Sequence, residues 1–583
     1  MPRVPPSLQS PRGEQPPRGE VLWYAGAVAL GTALVITTAI TQPYNQNEWV
    51  QIAPYGSSNI HEIVSGTRQP PLDPLLGALV QHLLGVGQLR QRLVPALCGI
   101  GSLVLLAALL RRMRLGAVGV LTMFVLATAP VFLRYSAYIR PYALPTLLIL
   151  LAAWAGSRWL EDGRGRWLAL AALGALLLPL SRVPEPTVFL ATSALVLAWR
   201  GWRGTLPRRR AWLLGGSLLG ALVTVGVVSL LALASKSSSV FDSSVVHALH
   251  RTPKGAREVV TYVLPLLAHW FPWWPVTLVL LALAVALPAA RRELRGLWFW
   301  LPLVLAPVAF LVAYHTFNPY PLHIRHYRAR FAYFFAPGFI ILVAAVGRAL
   351  SQWAAARWTT DDRRWHGLGA AAVGVLLVSQ LPTTYDVVTH NDVPDFGQAG
   401  DVLRADVPAD AVVLYDAPAP SGLWRMPFFG RPRYLAGAPE VTDVTTIARS
   451  GSHPGATGPV YLLLLDSRCA SSVVCDLPGV DWSGRVPGFR VVRRFDRFAL
   501  YAPTRGQRGD AGAVQALGQL AEAYGGTAAK VDVFAQARLL KRAGDAERAR
   551  RTVDTYCAGL PTTAARACLH DAERLHLDQT GDH

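Results

Sequence analysis

The chain has 583 residues, of which 52% are hydrophobic and only 16% carry a charge. A composition this apolar is atypical of a soluble enzyme and indicates that much of the surface is buried in lipid. The formal net charge is +20, but the basic residues stand mostly at the ends of apolar runs, which argues against nucleic acid as a partner.

The chain begins with 20 residues that are rich in proline and arginine, and residues 1–20 are predicted to be a disordered cytoplasmic N-terminus. Apolar runs follow, about as long as a helix needs to cross the hydrocarbon core, so residues 21–381 are predicted to form one transmembrane domain. The first run is longer than a signal-peptide core and lacks a small-residue cleavage site, so we expect it to be retained. About eleven spans are expected, at residues 22–41, 93–110, 115–133, 141–157, 167–181, 186–199, 211–234, 273–290, 297–315, 331–350 and 367–381.

Clusters of arginine follow every second apolar run, which is typical of cytoplasmic loops. Counting from a basic cytoplasmic N-terminus, this bias places the C-terminus outside the cytoplasm. The first external loop is the longest, and its stretches 60–65 and 72–84 are predicted to be amphipathic helices at the membrane surface. The arginine clusters are at residues 111–114, 158–166, 200–210, 291–295 and 357–364.

After residue 381 the composition becomes that of a soluble, extracytoplasmic region. Strand-like runs between glycine and proline turns predict an α/β domain over residues 382–508. Residues 509–583 are predicted to be a helical tail that resembles the hairpins of repeat proteins. The predicted strands are residues 411–415, 460–465, 489–495 and 498–501, and the predicted helices of the tail are residues 511–524, 529–543, 545–558 and 562–576.

Four of the five cysteines lie in this C-terminal region, as two close pairs. Cys469 with Cys475 and Cys557 with Cys568 are predicted to form disulfides, which suits an oxidising compartment. A zinc site is the competing interpretation, but neither pair has the usual two-residue spacing and no histidine accompanies them. Cys98 lies inside a predicted span and is expected to be a packing residue.

Three elements of the external loops carry a family resemblance: Asn47-Glu48-Trp49, then Gln69-Pro70-Pro71-Leu72-Asp73, and in the second loop the run from Arg134 to Leu144. In order and placement they resemble the membrane-embedded glycosyltransferases of the C-type fold, in particular bacterial relatives of the protein mannosyltransferases (glycosyltransferase family 39 type). The resemblance covers roughly residues 20–350. It implies an inverting transfer of a sugar from a polyprenyl-phosphate donor to an acceptor on the external face of the membrane. Low lysine with abundant alanine, arginine, glycine and proline hints at a bacterium of high GC content, where cell-wall polysaccharide would be the natural acceptor.

The sequence departs from that family at the acidic residues of the first loop. The family usually has an Asp-Glu pair where this chain has Asn47-Glu48, and a His-Pro-Pro-Leu-Tyr element where this chain has Gln69 to Asp73. Glu48 is therefore the first candidate for the general base, and Asp73, an acid inside an apolar helix, is the second. Glu48 could equally be a solvated loop carboxylate. Supporting roles near the site are assigned to Asn47, Glu62, Gln69 and Glu185, although Glu62 is also consistent with a surface group and Glu185 with half of a structural ion pair.

Arginines at the external ends of the spans are candidates for binding the donor phosphate. Arginine suits this role because its planar fork binds phosphate oxygens in pairs and keeps its charge in a poorly solvated site. The alternative is that these residues anchor helix ends to anionic lipid head groups. The predicted phosphate-binding residues are Arg134, Arg140, Tyr142, Arg182, Arg325, Arg328 and Arg330.

No zinc-ligand spacing, phosphate-binding loop or dinucleotide motif occurs in the sequence, so no metal site or nucleotide cofactor is predicted. A divalent cation is left open, since some proteins of this fold use one, although Asn47 removes a natural ligand. The expected partners are membrane lipid, a polyprenyl-phosphate-linked sugar and the acceptor glycan. Two alternatives to the enzyme remain, namely a catalytically inactive scaffold or lipid-binding subunit of the same fold, and a transporter of lipid-linked glycans.

Overall fold

The structure, a computed structural model, is mostly helical and forms two compact units, residues 1–42 with 47–390 and residues 43–46 with 391–583. It describes residues 18–42, 48, 51–67, 69–113, 115–182, 184–204, 206–234, 282, 286, 302–303, 324–357, 367–389, 396–416, 438–451, 457–465, 485–495 and 498–574.

The described part of the first unit is built of helices, with one 3-10 turn at Ala53–Gly56. Long apolar helices dominate it because only intrahelical hydrogen bonding satisfies the backbone of a segment that crosses lipid. The helices are α1 Arg18–Thr41, α2 Ile60–Thr67, α3 Leu72–Leu84, α4 Gln88–Gln91, α5 Leu93–Arg112, α6 Ala117–Ala127, α7 Pro130–Ser136, α8 Ala143–Asp162, α9 Gly165–Ser181, α10 Pro184–Trp202, α11 Arg208–Ala234, α12 Ile324–Arg357 and α13 Gly367–Thr389.

Six helices among the described residues are long and apolar enough to cross a membrane, and there is a seventh span if the bent pair α6 and α7 counts as one. The chain is therefore a multi-pass membrane protein. Two of the eleven spans predicted from the sequence, at 273–290 and 297–315, lie almost entirely outside the described residues. The predicted surface helices are both present as α2 and α3, and α3 has the predicted bounds.

The break between α6 and α7 is caused by Pro130, and side chains of α13 donate hydrogen bonds to the carbonyl groups that it leaves free. Pro130 begins α7 and biases the preceding residue away from helical geometry, so Ala129 is extended and the two helices meet at 53°. The break removes intrahelical donors, and α13 supplies them from its side chains. Gln380 Nε2 donates to the Val125 carbonyl at 2.6 Å, and Thr384 Oγ1 donates to the Thr128 carbonyl at 2.6 Å. These bonds hold α13 against the bend.

The second unit contains a five-stranded sheet with helices on both faces. Strand β1 (Val412–Asp416) pairs in parallel with β2 (Val441–Asp443) and with β3 (Val460–Leu465), whereas β5 (Phe498–Pro503) is antiparallel to β3 and to β4 (Phe489–Phe495). The order across the sheet is β2-β1-β3-β5-β4, so β2 and β4 are the edges. Its helices are α14 Phe396–Asp406, α15 Val444–Ser450, α16 Gly509–Tyr524, α17 Lys530–Arg542, α18 Ala546–Ala558 and α19 Thr562–Arg574.

Residues 509–574 form the four helices α16 to α19 with the short 3-10 turn Gly526–Ala529. The predicted disulfide between Cys557 and Cys568 is present and joins α18 to α19, with Cα atoms 5.6 Å apart. The second predicted pair, Cys469 and Cys475, lies outside the described residues. Cys98 is a buried free cysteine in α5, as expected of a packing residue.

Candidate active site

Glu48 lies at the end of the helical bundle where α1 ends and α5 begins. There Arg92 binds Glu48 in a bidentate pair, with Nε donating to Oε1 and Nη2 to Oε2, each at 3.0 Å. The Ile139 amide also donates to Glu48 Oε1 at 3.0 Å, and Arg92 Nη1 donates to the carbonyls of Ala39 and Gln42. Both side chains of the pair are at most 2% exposed. Glu48 therefore ties together three segments of the bundle.

Asp73 is the second buried carboxyl group at this end, and its surroundings differ. It lies in the first turn of α3 and is 5% exposed. Within the described part of the chain no hydrogen bond or ion pair reaches its carboxylate. Burial raises the pKa of Asp73 to about 7, and the positive charges of Arg140 and Arg182 oppose that rise. Asp73 thus has a pKa at which it can take up a proton near neutral pH.

A close contact between α3 and the 3-10 turn fixes the position of Asp73. Gly77 packs against the ring of Tyr55, so closely that a Cβ at position 77 would lie 2.5 Å from Tyr55 Cε2 and 2.8 Å from its hydroxyl oxygen. Tyr55 is 1% exposed, and burial together with the charge on Asp73 raises its pKa well above the usual range. Because Asp73 and Gly77 are four residues apart, they share one face of α3, and the packing of Gly77 sets the depth of Asp73.

The two arginines that act on Asp73 follow the ends of other helices. Arg140 stands in the tight turns between α7 and α8, where its amide donates to the Tyr138 carbonyl at 2.8 Å and its carbonyl accepts from the Tyr142 amide at 2.7 Å. Arg182 follows α9 and stacks over two rings, with Cζ 4.8 Å from the centroid of Tyr142 and 5.8 Å from that of Phe334. The stack holds the guanidinium plane of Arg182 in a defined orientation.

A cluster of buried aromatic rings packs against Arg182 and the turn that carries Arg140. Tyr142 makes edge contacts with Tyr135 and Phe334, and Tyr135 makes an edge contact with Tyr333. The Tyr333 hydroxyl shares a hydrogen bond of 3.1 Å with Ser136 Oγ. These contacts connect α7, the start of α8 and α12, so packed aromatic rings hold the turn that carries Arg140 in place.

The opposite face of α3 is apolar and open. Leu79, Leu83 and Leu84 are 53%, 72% and 48% exposed, while Asp73, Gly77 and Gln81 are buried on the other side. An amphipathic helix of this kind suits a membrane surface, with its leucines toward lipid and its polar groups toward the protein.

The remaining predicted residues are less closely involved. Glu62 is exposed and accepts a hydrogen bond of 2.6 Å from Ser57 Oγ, and Gln69 and Arg134 are half-buried. Glu185 lies in the first turn of α10, and Arg325, Arg328 and Arg330 lie in the first two turns of α12, but their side chains and Asn47 lie outside the described residues. In the described ranges no three His, Cys, Asp or Glu side chains are grouped as a metal site.

Arg92, Tyr55 and Gly77 were not predicted from the sequence. A signal for Arg92 was available, because it is a charged residue directly before an apolar span, and a charge at that depth needs an opposite partner. Tyr55 and Gly77 gave no comparable signal, since their contact depends on how α3 folds back onto the turn.

Comparisons with known proteins support the family resemblance. Residues 68–229 match the family model described as dolichyl-phosphate-mannose-protein mannosyltransferase, and the matched segment includes Arg92, Asp73, Arg140 and Arg182. The resemblance to glycosyltransferases of this type is thereby confirmed. No curated protein matches the chain.

Solved structures of low sequence identity also resemble the chain. ArnT from Cupriavidus metallidurans in the apo state is 13% identical with a TM-score of 0.48, over 83% of this chain and 97% of that one. ArnT bound to undecaprenyl phosphate gives a TM-score of 0.47 at 15% identity, with the same coverage. The archaeal oligosaccharyltransferase AglB from Archaeoglobus fulgidus, in complex with an inhibitory peptide and a dolichol-phosphate, gives 0.43 at 13% identity over 67% of this chain and 59% of that one.

Proposed function

We propose that the protein is a glycosyltransferase that moves a sugar from a polyprenyl-phosphate donor to a cell-envelope acceptor, with inversion at the anomeric carbon. The observation that carries the proposal is the buried carboxyl group of Asp73 in the field of Arg140 and Arg182. All three residues lie in the segment that matches the mannosyltransferase family model. A proton acceptor beside two guanidinium groups is the combination that this transfer requires.

Asp73 is the general base in this proposal. The acceptor hydroxyl oxygen attacks the anomeric carbon while its proton passes to the Asp73 carboxylate. The bond from the anomeric carbon to the phosphate oxygen breaks, and the polyprenyl phosphate leaves with the electron pair. Because attack and departure are on opposite sides of the sugar, one such displacement inverts the configuration.

Glu48 is less suited to the same role. Its Oε1 accepts from Arg92 and from the Ile139 amide, and its Oε2 accepts from Arg92 as well. A proton on this carboxylate would remove the charge that neutralises a guanidinium group only 2% exposed. Glu48 therefore holds Arg92 and the end of α1 in place, while Asp73 exchanges protons.

Arg140 and Arg182 bind the donor phosphate. The phosphate carries negative charge in the donor and gains more as the sugar leaves, so both arginines act in the ground state and in the transition state. The stack of Arg182 on Tyr142 fixes its plane, which suits a paired contact with two phosphate oxygens.

We place this site and the second unit on the external side of the membrane. The arginine clusters between spans support that orientation, and the disulfide between Cys557 and Cys568 suits an oxidising compartment. A reporter that is active only outside the cytoplasm should work when fused after His583. Activity of a cytoplasmic reporter at that position would overturn the orientation.

The transfer itself is tested with purified protein in nanodiscs and a panel of polyprenyl-phosphate sugars. We expect release of polyprenyl phosphate that depends on the acceptor glycan, and a product whose anomeric configuration, read by NMR, is opposite to that of the donor. A retained configuration would exclude the single displacement. Donor binding without transfer for every sugar and acceptor tested would favour the inactive scaffold instead.

A further inference from the structure

Strand β4 of the second unit is unusual among the strands of its sheet. Every residue of β1 is buried, whereas residues 490–494 of β4 are all exposed, and three of those five are arginines. The strand is an edge of the sheet, with β5 on one side. In the described ranges no strand pairs with its other side.

More arginines gather at one end of this strand. Strands β4 and β5 form a hairpin in which Arg490 lies opposite Ala502. Beyond that pair the Thr504 amide donates to the Gly488 carbonyl at 2.9 Å, so the residues before β4 and those after β5 are also neighbours. This register brings the turn before β4 next to the turn after β5. Arg485, Arg505 and Arg508 lie in these two turns. Together with the exposed Arg490, Arg493 and Arg494 of β4 they are here named the arginine strip.

Little negative charge accompanies the arginine strip. The segment 485–508 holds seven arginines and a single acidic residue, Asp496. Arg493 Nε binds Asp406 Oδ2 at 2.9 Å, and that pair lies on the side of the sheet covered by α14. Charged residues on an edge strand commonly prevent strand pairing between molecules, but Arg505 and Arg508 are outside the strand, and that purpose does not account for them.

We propose that the arginine strip binds a linear polyanion, namely an acidic glycan that carries carboxylate or phosphodiester groups. Guanidinium groups bind both kinds of anion in pairs. The register shift between Val491 and Arg493 puts Arg490 and Arg493 on one face of the sheet and Arg494 on the other. The strip therefore lines both sides of the free edge of β4, and its charges are spread along the strand as suits an extended polymer rather than one small ion. If the protein is the glycosyltransferase proposed above, such binding would give it a second contact with its acceptor, on the second unit.

A lipid surface fits the strip less well than a glycan does. The exposed apolar residues on β4 are Val491 and Val492, at 43% and 41% exposure, and a pair of half-exposed valines is ordinary for a protein surface. Segments that lie in a membrane interface carry larger apolar residues such as Trp, Phe and Leu beside their basic ones.

The test is binding of polygalacturonate, an acidic glycan, to the full-length protein in zwitterionic nanodiscs, measured by biolayer interferometry with neutral dextran as the reference polymer. The triple variant Arg490→Gln, Arg494→Gln and Arg505→Gln removes three charges from the strip. The control variant Arg548→Gln, Arg550→Gln and Arg551→Gln removes three charges from α18 in the same unit. We expect the strip variant to bind about tenfold more weakly, the loss expected for three exposed ion pairs, and the control to bind as the unchanged protein does.

Binding should also weaken as salt is raised, because exposed charges are screened. An equal loss in the two variants would mean that net charge alone attracts the polymer, and the proposal would fail. It would fail as well if the unchanged protein bound dextran and polygalacturonate alike. Binding of both variants to nanodiscs of anionic lipid is measured in parallel, and a strip variant that loses binding to those nanodiscs but not to polygalacturonate would also overturn the proposal. This binding assay does not require sugar transfer, so its result is independent of the proposed enzymatic activity.

Discussion

Two buried carboxyl groups, Glu48 and Asp73, lie at the same end of the helical bundle and have opposite surroundings. Glu48 is 1% exposed and each of its oxygens accepts a hydrogen bond from Arg92. Asp73 is 5% exposed, no hydrogen bond or ion pair reaches its carboxylate from the residues that the structure describes, and Arg140 and Arg182 act on it through their charge. Burial therefore does not by itself distinguish a structural carboxylate from a catalytic one. The difference lies in whether a fixed partner already neutralises it.

The physical cost of the two arrangements is different as well. A buried ion pair with good geometry largely offsets its desolvation, and removing one partner leaves an uncompensated charge. A buried carboxyl group without a paired cation avoids that cost by holding a proton more tightly, which is why the pKa of Asp73 is raised to about 7. Perturbed groups of the second kind cluster at functional sites, where the cost is retained for chemistry.

The largest expected effect comes from Asp73→Asn. The change keeps the size of the side chain but removes the proton acceptor, so turnover should fall by about 10² to 10⁴-fold. Donor binding should stay nearly intact, since the arginines are unchanged. Transfer assays and donor titrations on the same preparation measure both quantities.

A matched control for that variant is Asp162→Asn at the far end of α8, where Asp162 accepts from Trp167 Nε1 at 2.8 Å. It removes a carboxylate without touching the site, and turnover should not change. Full turnover in Asp73→Asn would show that Asp73 is not the general base, and Glu48 would again be the candidate.

The second prediction concerns stability rather than chemistry. Glu48→Gln leaves Arg92 charged and buried without its counter-ion, so the protein should lose about 3 to 5 kcal/mol of stability. Thermal unfolding in detergent should show a large drop in melting temperature for this variant and none for Asp73→Asn.

The double variant Glu48→Gln with Arg92→Gln sharpens that result. It removes both charges, so it should recover part of the stability that Glu48→Gln loses. A double variant that is no more stable than the single one would mean that the pair is not what Glu48 contributes. Equal losses for Glu48→Gln and Asp73→Asn would remove the distinction altogether.

The sequence predicted more of the fold than of the site. The bounds of α3, β3 and β4 follow from runs of apolar residues between turn signals, and the predicted and observed bounds of these three elements agree. Strand β2 has only three residues, too few to show an alternation, and it was missed. Helix α13 continues to Thr389, beyond the predicted end at residue 381, because its polar residues Gln380 and Thr384 bond to the break beside α7.

The candidate site depends on both local and tertiary features. The sequence singles out Asp73 and Arg140 as candidates, since they stand out against their apolar surroundings. Which carboxylate has a fixed partner was not predictable, because Arg92 lies 44 positions from Glu48 and meets it only in the folded bundle. Whether Glu48 or Asp73 is the better candidate base therefore depends on tertiary contacts, which the sequence alone does not show.

The third prediction is a pH dependence that belongs to Asp73 alone. A general base must be deprotonated, so kcat/KM should be constant above the pKa of about 7 and should fall by about tenfold per pH unit below it. The sign for stability is the reverse. The folded protein holds this proton more tightly than the unfolded chain, so the contribution of Asp73 to stability decreases as the pH rises from about 4 to 7.

The rate profile distinguishes Asp73 from other titrating groups when it is repeated on the residual activity of Asp73→Asn. The acid limb near pH 7 should disappear, because the group that titrates has been replaced. If the limb persists unchanged in that variant, the titration belongs to another group and Asp73 is not the base.

The smallest effect is expected from Gly77→Ala, which tests how the position of Asp73 is held. Alanine favours a helix over glycine by up to about 1 kcal/mol, so the change would stabilise an open site. At Gly77 the added Cβ would lie 2.5 Å from the Tyr55 ring, and overpacking costs about 1 to 3 kcal/mol. The net result should be a modest loss of stability together with a lower kcat, since α3 must shift and carry Asp73 with it.

Gly220→Ala in α11 is the control for this last prediction, because a Cβ at that position would contact nothing in the described structure beyond its own helix. It should be neutral or slightly stabilising, with an unchanged kcat. The second variant Gly77→Ala with Tyr55→Leu makes room for the methyl group, so it should regain stability. Its kcat tells whether Tyr55 is needed only as packing. Unchanged stability and kcat in Gly77→Ala would mean that the contact with Tyr55 does not position Asp73, and that the bundle fixes this carboxyl group by other means.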